Sequence, residues 1–130
     1  GCGSGILGLA ALLLGASNVI AIDNDPQALI ATADNATRNH INPDRIQTYL
    51  PDQIPSGIKA DIVVANILAG PLTELAPTII QLTADKGLLA LSGIIASQAD
   101  ELLNVYQKWC SMDKPIVEDG WVRLSGRKTS

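Results

Sequence analysis

Apolar residues fall in short runs along the chain, each closed by a polar or glycine-containing break. Ile6 to Leu14 is apolar apart from Gly8, follows GCGSG at Gly1–Gly5, and is closed by Gly15-Ala16-Ser17. This reads as a helix entered from a tight, glycine-built turn. Asn18 to Ile22 (NVIAI) lacks polar alternation, which predicts a strand buried on both faces and ending at Asp23. Asp25-Pro26 reads as a helix start, with Asp25 as N-cap and Pro26 at the first helical position. Leu29, Ala33 and Ala36 form one stripe of that helix, which fades near Asn39, before Asn42-Pro43. Ile46 to Leu50 alternates like a strand nearer the sheet edge, and Pro51 to Gly57 is loop. Asp61 to Ala65 (DIVVA) is the next buried strand, ending at Asn66.

Gly70-Pro71 marks a turn, and Leu72 to Thr83 is helical in pattern, kinked or started late by Pro77. Lys86-Gly87 is expected to end that helix, and Leu88 to Leu91 (LLAL) to form another buried strand. Ser97 and Asp100 suggest a capping box, with Ala99, Leu103, Tyr106 and Cys110 on one stripe behind it. Ile116–Glu118 and Trp121–Ser125 flank Asp119-Gly120 as a hairpin. There is no internal repeat, low-complexity segment or inter-domain linker. Alternating strands and helices mean an α/β fold, a Rossmann-like parallel sheet with helices on both faces. A glycine-rich loop of this kind follows the central first strand in the order 3-2-1-4-5-6. The chain is therefore read as a C-terminal fragment that lacks that strand, and is expected not to fold stably alone.

Composition narrows the picture. A chain of 130 residues, 47% hydrophobic, is one domain with a real core, and without phenylalanine that core must be Ala, Leu, Ile and Val. A net charge of −4 gives no footprint for nucleic acid. The apolar stretch to Ala16 is too short for a membrane span. Two cysteines, Cys2 and Cys110, make no disulfide framework and fit a reducing, cytoplasmic setting. No cluster has metal-ligand spacing.

The chemistry centres on the glycine loop. A dinucleotide fingerprint fails at Ile6, where its third glycine belongs, and a P-loop fails for want of Lys and Ser/Thr. The spacing G-x-G-x-G is that of S-adenosylmethionine-dependent methyltransferases; the competing reading is a tight turn with no ligand. Asp23, some 20 residues beyond the glycines, stands where an acid accepts hydrogen bonds from ribose hydroxyls. Its bland alternative is an exposed capping acid, but Asp25 fills that role better. Asn66 ends a buried strand, where open α/β sheets bind ligands, and its amide can accept a hydrogen bond from an attacking amine; otherwise it is a turn former. Cys2 reads as a small loop residue, since the only histidine, His40, lies on the far side of the third strand. Cys110 reads as core. Asp52 is a weaker candidate for an adenine contact, and Trp109 and Trp121 read as packing.

The stretches GCGSGILGLAALLLGA, AIDNDPQAL, ADIVVANILAGPLTELAP and LLALSGI with SQAD closely resemble the bacterial ribosomal protein L11 methyltransferase family. The resemblance runs from Gly1 to SGRK at Ser125–Lys128. NILAGPL is its most specific part, because amide- and DNA-amine methyltransferases usually carry Asn-Pro-Pro-Tyr or Asp-Pro-Pro-Tyr there. The resemblance implies a class I methyltransferase fold with a seventh strand inserted antiparallel beside the fifth, the Ile116–Ser125 hairpin supplying strands six and seven. It implies S-adenosyl-L-methionine as cofactor and methylation of α-amino and lysine ε-amino groups of ribosomal protein L11 in the cytoplasm. Gly1, Cys2, Gly3, Gly5, Asp23 and Asn66 are then the expected cofactor-binding residues, with Asn66 also the catalytic candidate where the target nitrogen enters. The family carries a separate N-terminal domain that grips the substrate, so the fragment alone is expected to be inactive. The alternatives are a methyltransferase on another amine or amide, and a non-catalytic domain that keeps the cofactor cleft. A nicotinamide dehydrogenase stands third.

Overall fold

The computed structural model describes residues 1–129, which gather into two compact units, Gly1–Ser56 and a second beginning at Gly57. The first contains α1 (Ile6–Leu13), β1 (Val19–Ile22), α2 (Pro26–Arg38) and β2 (Ile46–Tyr49). β1 and β2 pair in parallel from Val19 opposite Ile46 to Ile22 opposite Tyr49. Leu9, Leu12, Ala36, Ile41 and Ile46 form the core beneath the two helices. α2 starts as the sequence predicts: Asp25 is extended and accepts the Gln27 N–H at 2.9 Å, with Pro26 in the first turn. Its buried stripe differs, however. Thr32 and Ala36 are buried and Ala33 is exposed, because the helix turns Thr32 towards the glycine loop. Carbonyls at the end of a helix lack partners further along it. Arg45 supplies one for α1, donating from Nη2 to the Leu12 carbonyl (3.2 Å), and reaches the Ala16 carbonyl beyond the helix with the same nitrogen (2.9 Å).

The second unit holds β3 (Ala60–Asn66), α3 (Ala69–Glu74), α4 (Ala76–Leu82), β4 (Thr83–Ile95), α5 (Ala96–Tyr106), β5 (Cys110–Met112), β6 (Ile116–Glu118) and β7 (Trp121–Lys128). Its sheet runs β3-β4-β7-β5, with β6 also on β7. β3 and β4 are parallel, and β7 runs antiparallel beside β4, the insertion that the class I fold implies. The hairpin forms as predicted, Asp119 (φ 52°) and Gly120 (φ 82°) both taking the positive angles of a two-residue turn. It does not supply the whole edge. β5 pairs with the far end of β7 and shares that role with β6, the two separated by a stretch containing Pro115, which has no N–H to give a ladder.

Several boundaries move. The predicted single helix is two, broken at Leu75 just before Pro77, and it starts at Ala69, so Gly70-Pro71 lies in a first turn where proline costs nothing. Lys86-Gly87 sits inside β4 instead of ending a helix; Lys86 takes φ 63° and bends the strand there. α5 begins before Ser97: the Gln98 side chain accepts the Ile95 N–H at 3.1 Å, so Ser97 and Asp100 form no capping box. α5 ends at Tyr106, and Cys110 is buried from β5. Leu72, Ile79, Leu89, Leu91, Leu102 and Leu124 anchor one core under α3–α5. The alternate side chains of β3, Ile62 and Val64, are exposed on the opposite face.

Candidate functional site

The glycine loop is fastened from below by β1 and from the side by α2. The nitrogens of Gly1 and Cys2 both donate to the Ile22 carbonyl, at 2.6 and 2.9 Å. Gly3 (φ 56°) and Gly5 (φ 85°) take the left-handed backbone that favours glycine. Position 5 disfavours any other residue twice over, by its φ and because a Cβ there would lie 2.8 Å from Thr32 Cγ2. The space beside Gly3 is open. Thr32 Oγ1 donates to the Gly3 carbonyl at 3.2 Å and Asn35 Nδ2 to the Ser4 carbonyl at 2.9 Å. Cys2 Sγ lies 3.4 Å from Thr32 Oγ1, with no base beside it, so the thiol belongs to the loop's packing.

Asp23 ties the loop to the end of β1. Its Oδ2 accepts the Gly3 N–H at 3.1 Å and its Oδ1 accepts the Asp25 N–H at 3.0 Å. Burial works against the charged form. The N–H groups of Asp25, Gly3 and Asn24 favour it, and the carboxyl lies below its ordinary 3.8. The result is an ionised acceptor with lone pairs to spare. That is the chemistry a ribose diol requires, and the open side of Gly3 leaves room for a ligand close to the backbone. The structure thus brings Gly1, Cys2, Gly3, Gly5 and Asp23 into one hydrogen-bonded group.

Asn66 lies in the second unit, as the last residue of β3. It is exposed, and among the described residues its amide has no hydrogen-bond partner. The next residue is held: the Ile67 N–H donates to the Ser92 carbonyl at 3.2 Å. Asp52 sits exposed in a short turn after β2, and His40 is exposed beyond α2 with φ 58°. Trp109 is half-buried against the core, whereas Trp121 is exposed. No metal-binding group of three or more His, Cys, Asp or Glu occurs among the described residues. None of their helices is long and apolar enough to cross a membrane.

Thr32 and Asn35 escaped the sequence reading. Their signal was faint: two polar residues three apart on α2, beside the apolar Ala36. A groove of about 370 Å³ between α1 and α2 is lined by Ile6, Leu9, Leu13, Asn35 and Asn39 among others, and Asp23 is not part of its wall.

Residues 1–129 match a family described as Ribosomal protein L11 methyltransferase (PrmA). The ribosomal protein L11 methyltransferase of Colwellia psychrerythraea is 59% identical over 128 residues, 98% of this chain and 43% of that protein. That of Marinomonas sp. is 56% identical with the same coverage. The chain thus spans 43% of the length of these curated relatives. Among solved structures, the ribosomal protein L11 methylase of Lactobacillus delbrueckii subsp. bulgaricus superposes with a TM-score of 0.88 at 29% identity, covering all of this chain and 68% of that one. An RNA methyltransferase from Salinibacter ruber, crystallised with S-adenosyl-L-homocysteine, shares the fold alone: TM-score 0.76, 15% identity, covering 100% of this chain and 78% of that one.

Proposed function

The chain belongs to the ribosomal protein L11 methyltransferase family, and from that premise we propose that the protein methylates amino groups of ribosomal protein L11, both α-amino and lysine ε-amino, using S-adenosyl-L-methionine. The observation that carries the cofactor half is the ionised Asp23, locked to Gly3 beside an open backbone. When bound, the cofactor supplies an electrophilic methyl group on a sulfonium centre. Asp23 accepts hydrogen bonds from the ribose hydroxyls. Gly1, Cys2, Gly3 and Gly5 let the amino-acid and sugar portions approach the main chain. Asn66 would contact the cofactor and turn the target amine, its amide oxygen accepting an N–H and directing the nitrogen lone pair. Methyl transfer to a neutral amine then asks for alignment and exclusion of water more than for proton transfer. We assign the reaction to the cytoplasm, with no direct contact to nucleic acid or membrane.

Intact mass of ribosomal protein L11, after incubation with S-adenosylmethionine and the full-length protein, tests this. Gain in methyl-sized steps, absent with Asp23→Ala, is the expected result. Cofactor binding without any gain would redirect the enzyme to another amine or reduce it to a binding domain. Unchanged cofactor affinity in Asp23→Ala would remove the ribose role.

A further inference from the structure

Asn66 opens a segment, Asn66–Leu72, that the sheet and α5 hold from underneath. In the pairing of β4 with β7, Leu91 stands opposite Leu124 and Ile94 opposite Val122, so Ser92 and Gly93 face Arg123 alone. This is a β-bulge, a device that re-aims the chain beside it. Ser92 is also the parallel partner of Asn66. Its carbonyl takes the Ile67 N–H. Gly93 takes φ 89°, and a Cβ there would lie 2.5 Å from the Ile67 carbonyl oxygen and 2.9 Å from Asn66 Oδ1. Only glycine lets the bulge come this close to the strand exit.

The other end of the segment is held by α5. Tyr106 is fully buried, and its hydroxyl donates to the Leu72 carbonyl at 2.7 Å. Leu72 lies in the last turn of α3, where carbonyls lack helical partners, and is itself wholly buried. Phenylalanine would fill the same core space, so the hydroxyl is there for that carbonyl. Burial, with the Cys110 thiol beside it, pushes the phenol up to about 12, which keeps it a donor.

We propose that Gly93 and Tyr106 are positioning residues, which fix the two ends of Asn66–Leu72 and thereby the direction in which Asn66 presents its amide. This rests on the reading of Asn66 as the group that orients the target amine. In the full-length protein, Gly93→Ala lowers kcat on ribosomal protein L11 by about tenfold or more at saturating cofactor, and Tyr106→Phe by about threefold. Gly126→Ala is the control for crowding against main chain: its Cβ would lie 2.7 Å from the Ser111 carbonyl oxygen, in the same sheet. It lowers the thermal midpoint and leaves kcat in place. A kcat loss in Gly126→Ala equal to that in Gly93→Ala, or no loss in Tyr106→Phe, overturns the assignment. Tyr106→Phe alone decides if Gly93→Ala does not fold. Asn66→Ala separates the two layers. Unchanged kcat there overturns the reading of Asn66 itself. Lost kcat there, with normal kcat in Gly93→Ala and Tyr106→Phe, overturns only the positioning role.

Discussion

The two units are built by opposite means. The first has five buried residues in its core and a two-stranded sheet, yet its loop is specified bond by bond from Ile22, Asp23, Thr32 and Asn35. The second has thirteen buried residues in one cluster beneath a five-stranded sheet. Hydrogen bonds fix direction and packing supplies stability, because net hydrogen-bond contributions are small and apolar burial is not. The difference teaches that the loop expected to receive a ligand is shaped by polar contacts laid over a thin core.

The largest effect follows from the packing side. Leu102→Ala, in the second core, is expected to cost about 4 kcal/mol, and Leu12→Ala, in the first, about 2 kcal/mol, by urea denaturation of the full-length protein. Equal costs would break the comparison. Next comes the polar side. Gly5→Ala combines a left-handed φ with a clash on Thr32, for an expected loss of about 2 kcal/mol and weaker cofactor binding by calorimetry. Adding Thr32→Ser removes the methyl group that the new Cβ meets and should recover part of both. No recovery would mean that φ alone matters.

The smallest effect is electrostatic. Asp23 has a lowered carboxyl in the folded protein. Its contribution to stability is present above the unfolded value near 3.8 and is lost as pH falls through the folded value. Stability measured from about pH 5 down to pH 2 should decline less steeply in Asp23→Asn than in the parent. Identical slopes would show that the loop contact does not hold the charge.

The chain states its regular elements well and its contacts poorly. The cap at Asp25 and the turn at Asp119-Gly120 are legible because each depends on neighbours a few residues away. Thr32 and Asn35 are not, since their partners lie 29 and 31 residues earlier in the chain. On a helix such residues read as ordinary solvent-facing polars. Lys86-Gly87 reads as the end of a helix, yet pairing with β3 on one side and β7 on the other carries β4 through the bend. The stripe drawn from Ala99 to Cys110 overran the end of α5 because Cys110 is buried by a different element.

Asp23 has one consequence beyond charge. Each of its oxygens is already engaged by a main-chain N–H. The carboxylate has therefore surrendered its rotational freedom before any ligand arrives. A hydroxyl that joins it meets an acceptor already held in place, so association need not freeze that rotor. The same bond to Gly3 makes the loop and the acid a single recognition element, in which disturbing either partner disorders the other.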